Sequence, residues 1–169
     1  MRIIITMMSR KKLKVTMSSA ELITLKHVKR VNELLGEFSI ELIRRGNRHD
    51  DTKFLPAELG PLEEMQKLVE AEGQAPYGSD EYKRRLEILK PMLDHHYANN
   101  SHHPEHYDLG IDGMTLFDVV EMSLDWIAAS ERGGEAVVGL TSSQERFNIS
   151  PQLMNILKNT YDHLKVKHK

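Results

Sequence analysis

The sequence contains no cysteine. Disulfides, thiolate catalysis and cysteine-based zinc sites are therefore excluded. A metal held by this chain would rest on imidazole and carboxylate. Those ligands suit Mn, Fe, Co, Ni or Zn, and Mg where carboxylates and waters dominate. Long apolar runs are also missing: none reaches the ~20 residues that cross a bilayer. No membrane partner is expected. Basic residues follow the short apolar start Met1–Met8 instead of preceding it, which is the wrong order for a secretion signal. A reducing cytoplasm is the expected location. Charge of one sign is lacking too, with Lys+Arg 23 against Asp+Glu 25 and a formal net charge of -2. Nucleic-acid binding calls for a clustered basic excess, so no strong nucleic-acid signal is present.

What remains is a globular composition. The chain has 169 residues, 40% hydrophobic and 28% charged, enough for one domain with one core. Residues 1–17 read as an N-terminal extension. Their β-branched content allows a short strand or hairpin over Ile3–Met8 and Leu13–Met17. Residues 18–169 read as an all-α, single-domain helical bundle with about five main helices.

Ser18 with Glu21 forms a capping box that opens a helix to about Arg45. Val31, Leu34, Leu35, Phe38 and Leu42 recur at helical spacing along it, and His27 lies in that stripe. Gly46-Asn47 reads as a stop signal. A second helix is expected over about 57–71. A third, capped by Ser79, runs to about Tyr97, with Leu86, Leu89, Leu93 and His96 on its inner row. Asn99–Gly113 should be a loop. A fourth helix spans about 115–132. Gly133–Ser143, with three glycines and two serines, reads as mobile. Ser150-Pro151 opens a last helix on Leu153, Ile156, Leu157, Thr160 and Leu164.

The densest chemistry lies between His95 and His106, where five of the nine histidines fall within twelve residues. Histidine serves as metal ligand, proton shuttle or phosphate donor near neutral pH. By helical phase His96 faces inward and His95 is turned about 100° away. His102 and His103 sit on a loop able to close over a site, and His106 faces solvent. Upstream, His49-Asp50 pairs an imidazole with a carboxylate that offsets metal charge, and Lys53 follows. A lone His-Asp in a polar loop is usually solvated; the downstream cluster is what lifts this one. On the fourth helix Asp118, Glu121 and Asp125 share a face. That face is either solvated or turned to an internal site. Asp125, next to the apolar Trp126-Ile127, is the preferred carboxylate, with Asp118 and Glu121 left open.

In this order the residues His27, His49-Asp50-x-x-Lys53, His96, His102-His103 and Asp125 resemble the HD-domain superfamily of metal-dependent phosphohydrolases. The resemblance covers about residues 20–130. The nearest likeness is an uncharacterised phage and bacterial family with the His-His-x-x-Asn-x-x-His-His-Pro-Glu pattern. The resemblance implies a helical HD-type fold and a divalent cation, with two also allowed. It implies His27, His49, Asp50 and Asp125 as metal ligands, with Asp50 or Asp125 as a proton acceptor and His96 or His102 able to protonate the leaving oxygen. His96 with His102 or His103 would bind a second metal or the substrate phosphate, and Lys53 would offset phosphate charge. The pair His102-His103 is followed by Pro-Glu, not the Gly-Tyr-Pro of cyclic-di-nucleotide phosphodiesterases, which disfavours that activity. The expected reaction is metal-assisted hydrolysis of a phosphoester, with a nucleotide as substrate. Arg132 and Arg146 are candidate phosphate clamps. A di-iron oxygenase and a non-catalytic metal-binding protein are the alternatives. The oligomeric state stays open, a homo-oligomer included.

Overall fold

The computed structural model describes residues 17–76, 78–132 and 138–169. It is all-α. The helices are α1 (Ser19–Arg48), α2 (Pro56–Glu72), α3 (Asp80–Asn99), α4 (Leu116–Arg132), α5 (Leu140–Phe147) and α6 (Pro151–Leu164). Short 3-10 turns lie at Asp51–Phe54, Pro104–His106 and Gly110–Gly113. Among the described residues β pairing is confined to one isolated parallel bridge, Val138 with His168. The strand or hairpin expected over Ile3–Met8 and Leu13–Met17 lies outside the described residues, Met17 excepted.

The chain divides into two compact units, Met1–Ile40 and Glu41–Lys169. In the first, the described residues open α1. The Ser18 hydroxyl accepts from the Glu21 amide at 3.2 Å and the Glu21 carboxylate accepts from the Ser18 amide at 2.7 Å, so two orphan donors of the helix start are satisfied reciprocally. Of the stripe expected to face a core, Val31, Leu34 and Leu35 are exposed, at 40%, 47% and 61%, while Phe38 and Leu42 are half-buried. No residue of α1 is buried.

In the second unit the core gathers Val138, Leu140, Ile149, Met154 and Tyr161, with Trp126, Ile127 and Phe147 against it. The Tyr161 hydroxyl donates to the Ser123 carbonyl at 2.7 Å and fastens α6 to α4. The buried row of α6 is Met154, Leu157 and Tyr161, while Ile156 is half exposed. This row sits about one residue out of phase with the expected one. In α3 the same happens: Arg85, Met92 and His96 are buried, and Leu86 is exposed. Arg85 explains the shift. Its guanidinium reaches Glu81 at 2.6 Å, the Gly73 carbonyl at 2.9 Å and Glu72 at 3.1 Å, so a charged side chain takes a core position by saturating its donors.

Two boundaries differ from the expectation. First, α1 runs through Gly46-Asn47 to Arg48. The left-handed residue after the helix is Asp50, at φ 59°. Asp tolerates that conformation because its short polar side chain finds local partners. Second, part of the segment expected to be mobile belongs to a sixth helix, α5. Residues 133–137 of that segment lie outside the described ones. The Ser142 and Ser143 hydroxyls donate back to the Gly139 carbonyl at 2.9 and 3.1 Å, and Leu140 is fully buried. Serines that look like loop composition here brace a first turn.

Candidate metal centre

Four segments of the second unit converge: the end of α1 with its left-handed turn, the start of α2, the end of α3 with the loop after it, and one face of α4. The left-handed turn at Asp50 ends α1 and lets the adjacent side chains His49 and Asp50 come within 3.4 Å of one another. From α3, His96 comes in buried. Its Nδ1 lies 2.8 Å from Glu58 Oε2, and His95 Nδ1 lies 2.7 Å from Glu58 Oε1. Glu58 has no accessible surface. Burial pushes its pKa up, but hydrogen bonds from His95, Thr52 and His96 outweigh this and lower it. A carboxylate on Nδ1 fixes the tautomer of His96 and leaves the Nε2 lone pair aimed at the cluster.

His49 repeats the arrangement. Its Nδ1 lies 2.9 Å from Glu121 Oε1, and its Nε2 lies 3.4 Å from both Asp50 Oδ2 and Asp125 Oδ1. The hydrogen bonds to Asp125 and Glu121 raise its pKa to about 10, against burial. Asp50 Oδ1 faces His96 Nε2 at 3.3 Å and His102 Nε2 at 3.5 Å, and Lys53 Nζ reaches Oδ2 at 2.5 Å. Burial would raise the Asp50 pKa, yet the Lys53 ammonium bonded to Oδ2 and the charge on His49 hold it far below the usual carboxylate range. Burial lowers His102 and takes His103 down to about 3. Both imidazoles are therefore neutral at ordinary pH and offer lone pairs.

A second layer holds these groups. Arg45 Nε reaches Glu121 Oε2 at 2.7 Å, and its Nη2 bonds Ser101 at 3.0 Å and also Asp118. Asp118 accepts further from Ser101 Oγ at 2.7 Å, Tyr107 OH at 2.9 Å, the Thr115 amide at 2.8 Å and Thr115 Oγ1 at 2.6 Å. Buried carboxylates are tolerable only when saturated in this way. The acidic face of α4 is thus turned inward, with Asp125 and Glu121 beside His49 and Asp118 behind them.

Ligand atoms of Asp50, His96, His102 and His103 all lie within 4.8 Å of one another, as do those of His49, His102 and Glu121 and those of His49, Asp50 and Asp125. Among the described residues, two buried side-chain atoms have no hydrogen-bond partner, Asp50 Oδ1 and His102 Nε2. They face each other inside this cluster. Orphaned buried acceptors of that kind cost ~1–3 kcal/mol each, and a cation between them removes the cost. Nitrogens bound at ~2.1 Å and at right angles stand ~3.0 Å apart, and His96 Nε2 and His103 Nε2 are separated by 3.0 Å. The donor set fits a divalent cation.

A family model matches residues 17–163, and it describes a family of unknown function, DUF5662. The chain belongs to the DUF5662 family. No curated protein and no solved structure matches it. The DUF5662 match spans every side chain of the cluster.

Of the residues singled out in the sequence, the fold brings together His49, Asp50, Lys53, His96, His102, His103 and Asp125. His27 is exposed on α1 in the first unit and is in none of the three ligand groups. The stripe residues nearest it, Val31, Leu34 and Leu35, are exposed as well. Arg132 is exposed at the end of α4. Arg146 lines a polar cavity of about 280 Å³ with Tyr97, His103, Asp125, Ser142 and Ser143. Its Nη2 reaches Glu105 Oε1 at 2.7 Å, and its guanidinium lies 4.7 Å over the Phe147 ring, which stacks on Trp126. A second, mostly apolar cavity of about 260 Å³ opens on the other side of Asp125, between Leu42, Gly46, Val120, Leu124 and Ala128. Sequence reasoning missed Glu58 and Arg45. Glu58 lies in the first turn of α2, where any acidic residue suits the helix dipole, so nothing marked it out. Arg45 looked like a helix-end cation for the same reason.

Proposed function

We propose that this DUF5662 protein is a metal-dependent phosphohydrolase of the HD type, acting on a phosphoester such as a nucleotide. The observation that carries the proposal is the facing pair of orphaned atoms, Asp50 Oδ1 and His102 Nε2, ringed by His49, His96, His103 and Asp125. These residues would hold the cation. When bound, a divalent cation acidifies a water and polarises a phosphoryl oxygen. The protein's own groups do the rest. Asp125 borders both cavities and would take the proton from an attacking water. Lys53, on Asp50, and Arg146, in the polar cavity, offset phosphate charge. His103 lines the same cavity and can donate a hydrogen bond to a phosphate oxygen.

The test is phosphate release by the metal-loaded chain from a panel of nucleoside mono- and triphosphates with Mn, Co, Ni, Fe, Zn and Mg in turn. Release that disappears in Asp50→Asn supports the reading. No release with any metal counts against it.

One observation favours a second reading. Asp50 belongs to two ligand groups, one with His96, His102 and His103 and one with His49 and Asp125, so two cations could share it. Two irons would suit an oxygenase. Iron-dependent oxygen uptake without phosphate release separates this reading from the first.

A further inference from the structure

We propose that Thr52, with Asn100 behind it, is a positioning residue that sets where His96 stands against Asp50. The inference rests on the cation centre and is independent of the reaction assigned to it.

A cation shared by Asp50 and His96 needs their ligand atoms held to within ~0.5 Å of the right geometry. Those atoms, Asp50 Oδ1 and His96 Nε2, lie 3.3 Å apart, yet they arrive from different elements. Asp50 caps the 3-10 turn Asp51–Phe54, and His96 lies in the last turn of α3. Their direct contact cannot fix the spacing, because a cation entering between the two atoms replaces it. The spacing has to be set from outside the ring of ligands.

Thr52 belongs to that turn, two residues after Asp50, and its hydroxyl is bonded to the end of α3. Asn100 Nδ2 donates to Thr52 Oγ1 at 2.7 Å and to the His96 carbonyl at 2.8 Å. Thr52 Oγ1 also lies 3.4 Å from His96 Nδ1, and its hydroxyl is one of the donors that lower the Glu58 pKa. Hydrogen bonds thus run one way, from the Asn100 amide through the Thr52 hydroxyl to Glu58, the carboxylate that orients His96 through Nδ1. A hydroxyl that receives and donates at once strengthens both bonds. Asn100 is buried, so its N–H groups depend on these acceptors. Asn99, the asparagine of the His-His-x-x-Asn pattern, is exposed and donates to the His95 carbonyl at 2.7 Å. The asparagine that braces the centre is its neighbour.

Cobalt(II) titration reads the geometry, because the visible absorption of the bound ion depends on the number and arrangement of its ligands. The parent chain should bind Co(II). Thr52→Val, which removes the hydroxyl at nearly the same shape, should weaken binding about tenfold and change the spectrum of the bound ion. Thr52→Ala, which adds no methyl in its place, should do the same, and Thr52→Ser should restore both. A hydroxyl that served only the fold would lower the urea midpoint and leave the affinity and spectrum of the folded protein as in the parent. That result overturns the proposal, as does a loss that Thr52→Ser shares in full. A parent chain that binds no Co(II) overturns the cation centre and this proposal with it. Phosphate release takes no part in the measurement, so a chain that binds the ion but hydrolyses nothing leaves the assignment of Thr52 standing.

Discussion

The Nε2 atoms of His96 and His103 face each other at 3.0 Å. His96 commits its Nδ1 to Glu58, so its Nε2 presents a lone pair. His103, held neutral by burial, has a single proton to place. The two rings either share one proton or share a cation. Asp50 Oδ1 and His102 Nε2 complete the ring of acceptors, and the cation is the arrangement that satisfies all of them.

Metal uptake should therefore raise thermal stability. A ligand at 100 times its Kd adds about 2.7 kcal/mol, or roughly 5–10 °C for a chain of this size. Melting curves of chelated and metal-loaded protein read this directly. No shift with Mn, Co, Ni, Fe or Zn would sink the metal centre.

Asp50→Asn should abolish that shift while leaving the metal-free protein folded. Asn accepts the left-handed backbone at position 50 as well as Asp does. It removes the charge that offsets the cation and the partner of Lys53. Unfolded variant protein, instead of folded and metal-blind protein, would show that Asp50 serves the fold first.

Affinity for the cation should rise with pH. His49 keeps its proton up to about 10 in the metal-free protein, chiefly through Asp125 and Glu121, and a metal must displace it. Below that value, each added pH unit should raise apparent affinity about tenfold while one proton is displaced. The metal-free protein responds in the opposite sense. A raised folded-state pKa gives stability that is full below the free imidazole value of about 6.5. It is lost as pH climbs through about 10. Titration calorimetry in buffers of different ionisation enthalpy counts the proton, and pH-independent affinity contradicts the geometry.

Glu58→Gln should weaken metal binding by about 10–100-fold, the usual effect of losing a carboxylate behind a ligating imidazole. Isothermal titration against the parent chain checks this. A loss of folding without any change in affinity for the residual folded fraction would reassign Glu58 to packing.

Arg45→Met should destabilise the fold by about 1–3 kcal/mol, because it strips a donor from buried carboxylates. The cost stays moderate because Asp118 retains Ser101, Tyr107 and Thr115 as donors. Urea midpoints measure it.

The helices were legible because capping boxes, N-terminal prolines and apolar spacing are local signals. Ser18, Ser79 and Ser150 each cap the helix that follows. The doublet stood out because the histidine cluster downstream lifts it above an ordinary solvated His-Asp pair, and Asp125 because it sits beside the apolar Trp126-Ile127. What the sequence hid depends on tertiary contact. Arg85 occupies a core position that composition assigns to Leu86. Glu58 and Arg45 look like ordinary helix-end charges until the elements they hold are brought together. His27 was placed among the ligands on the strength of an apolar stripe, and the members of that stripe nearest it, Val31, Leu34 and Leu35, are exposed.

Asp118 ties three stretches of chain into one knot: Arg45 from α1, Ser101 and Tyr107 from the loop, and Thr115 at the head of α4. The histidines of the loop hang from that knot. Ligands supplied from positions 49, 96 and 125 lie too far apart along the polymer to meet before those stretches dock. The full ligand set forms only when those stretches dock, so tight capture marks the last act of folding and release the first sign of its failure.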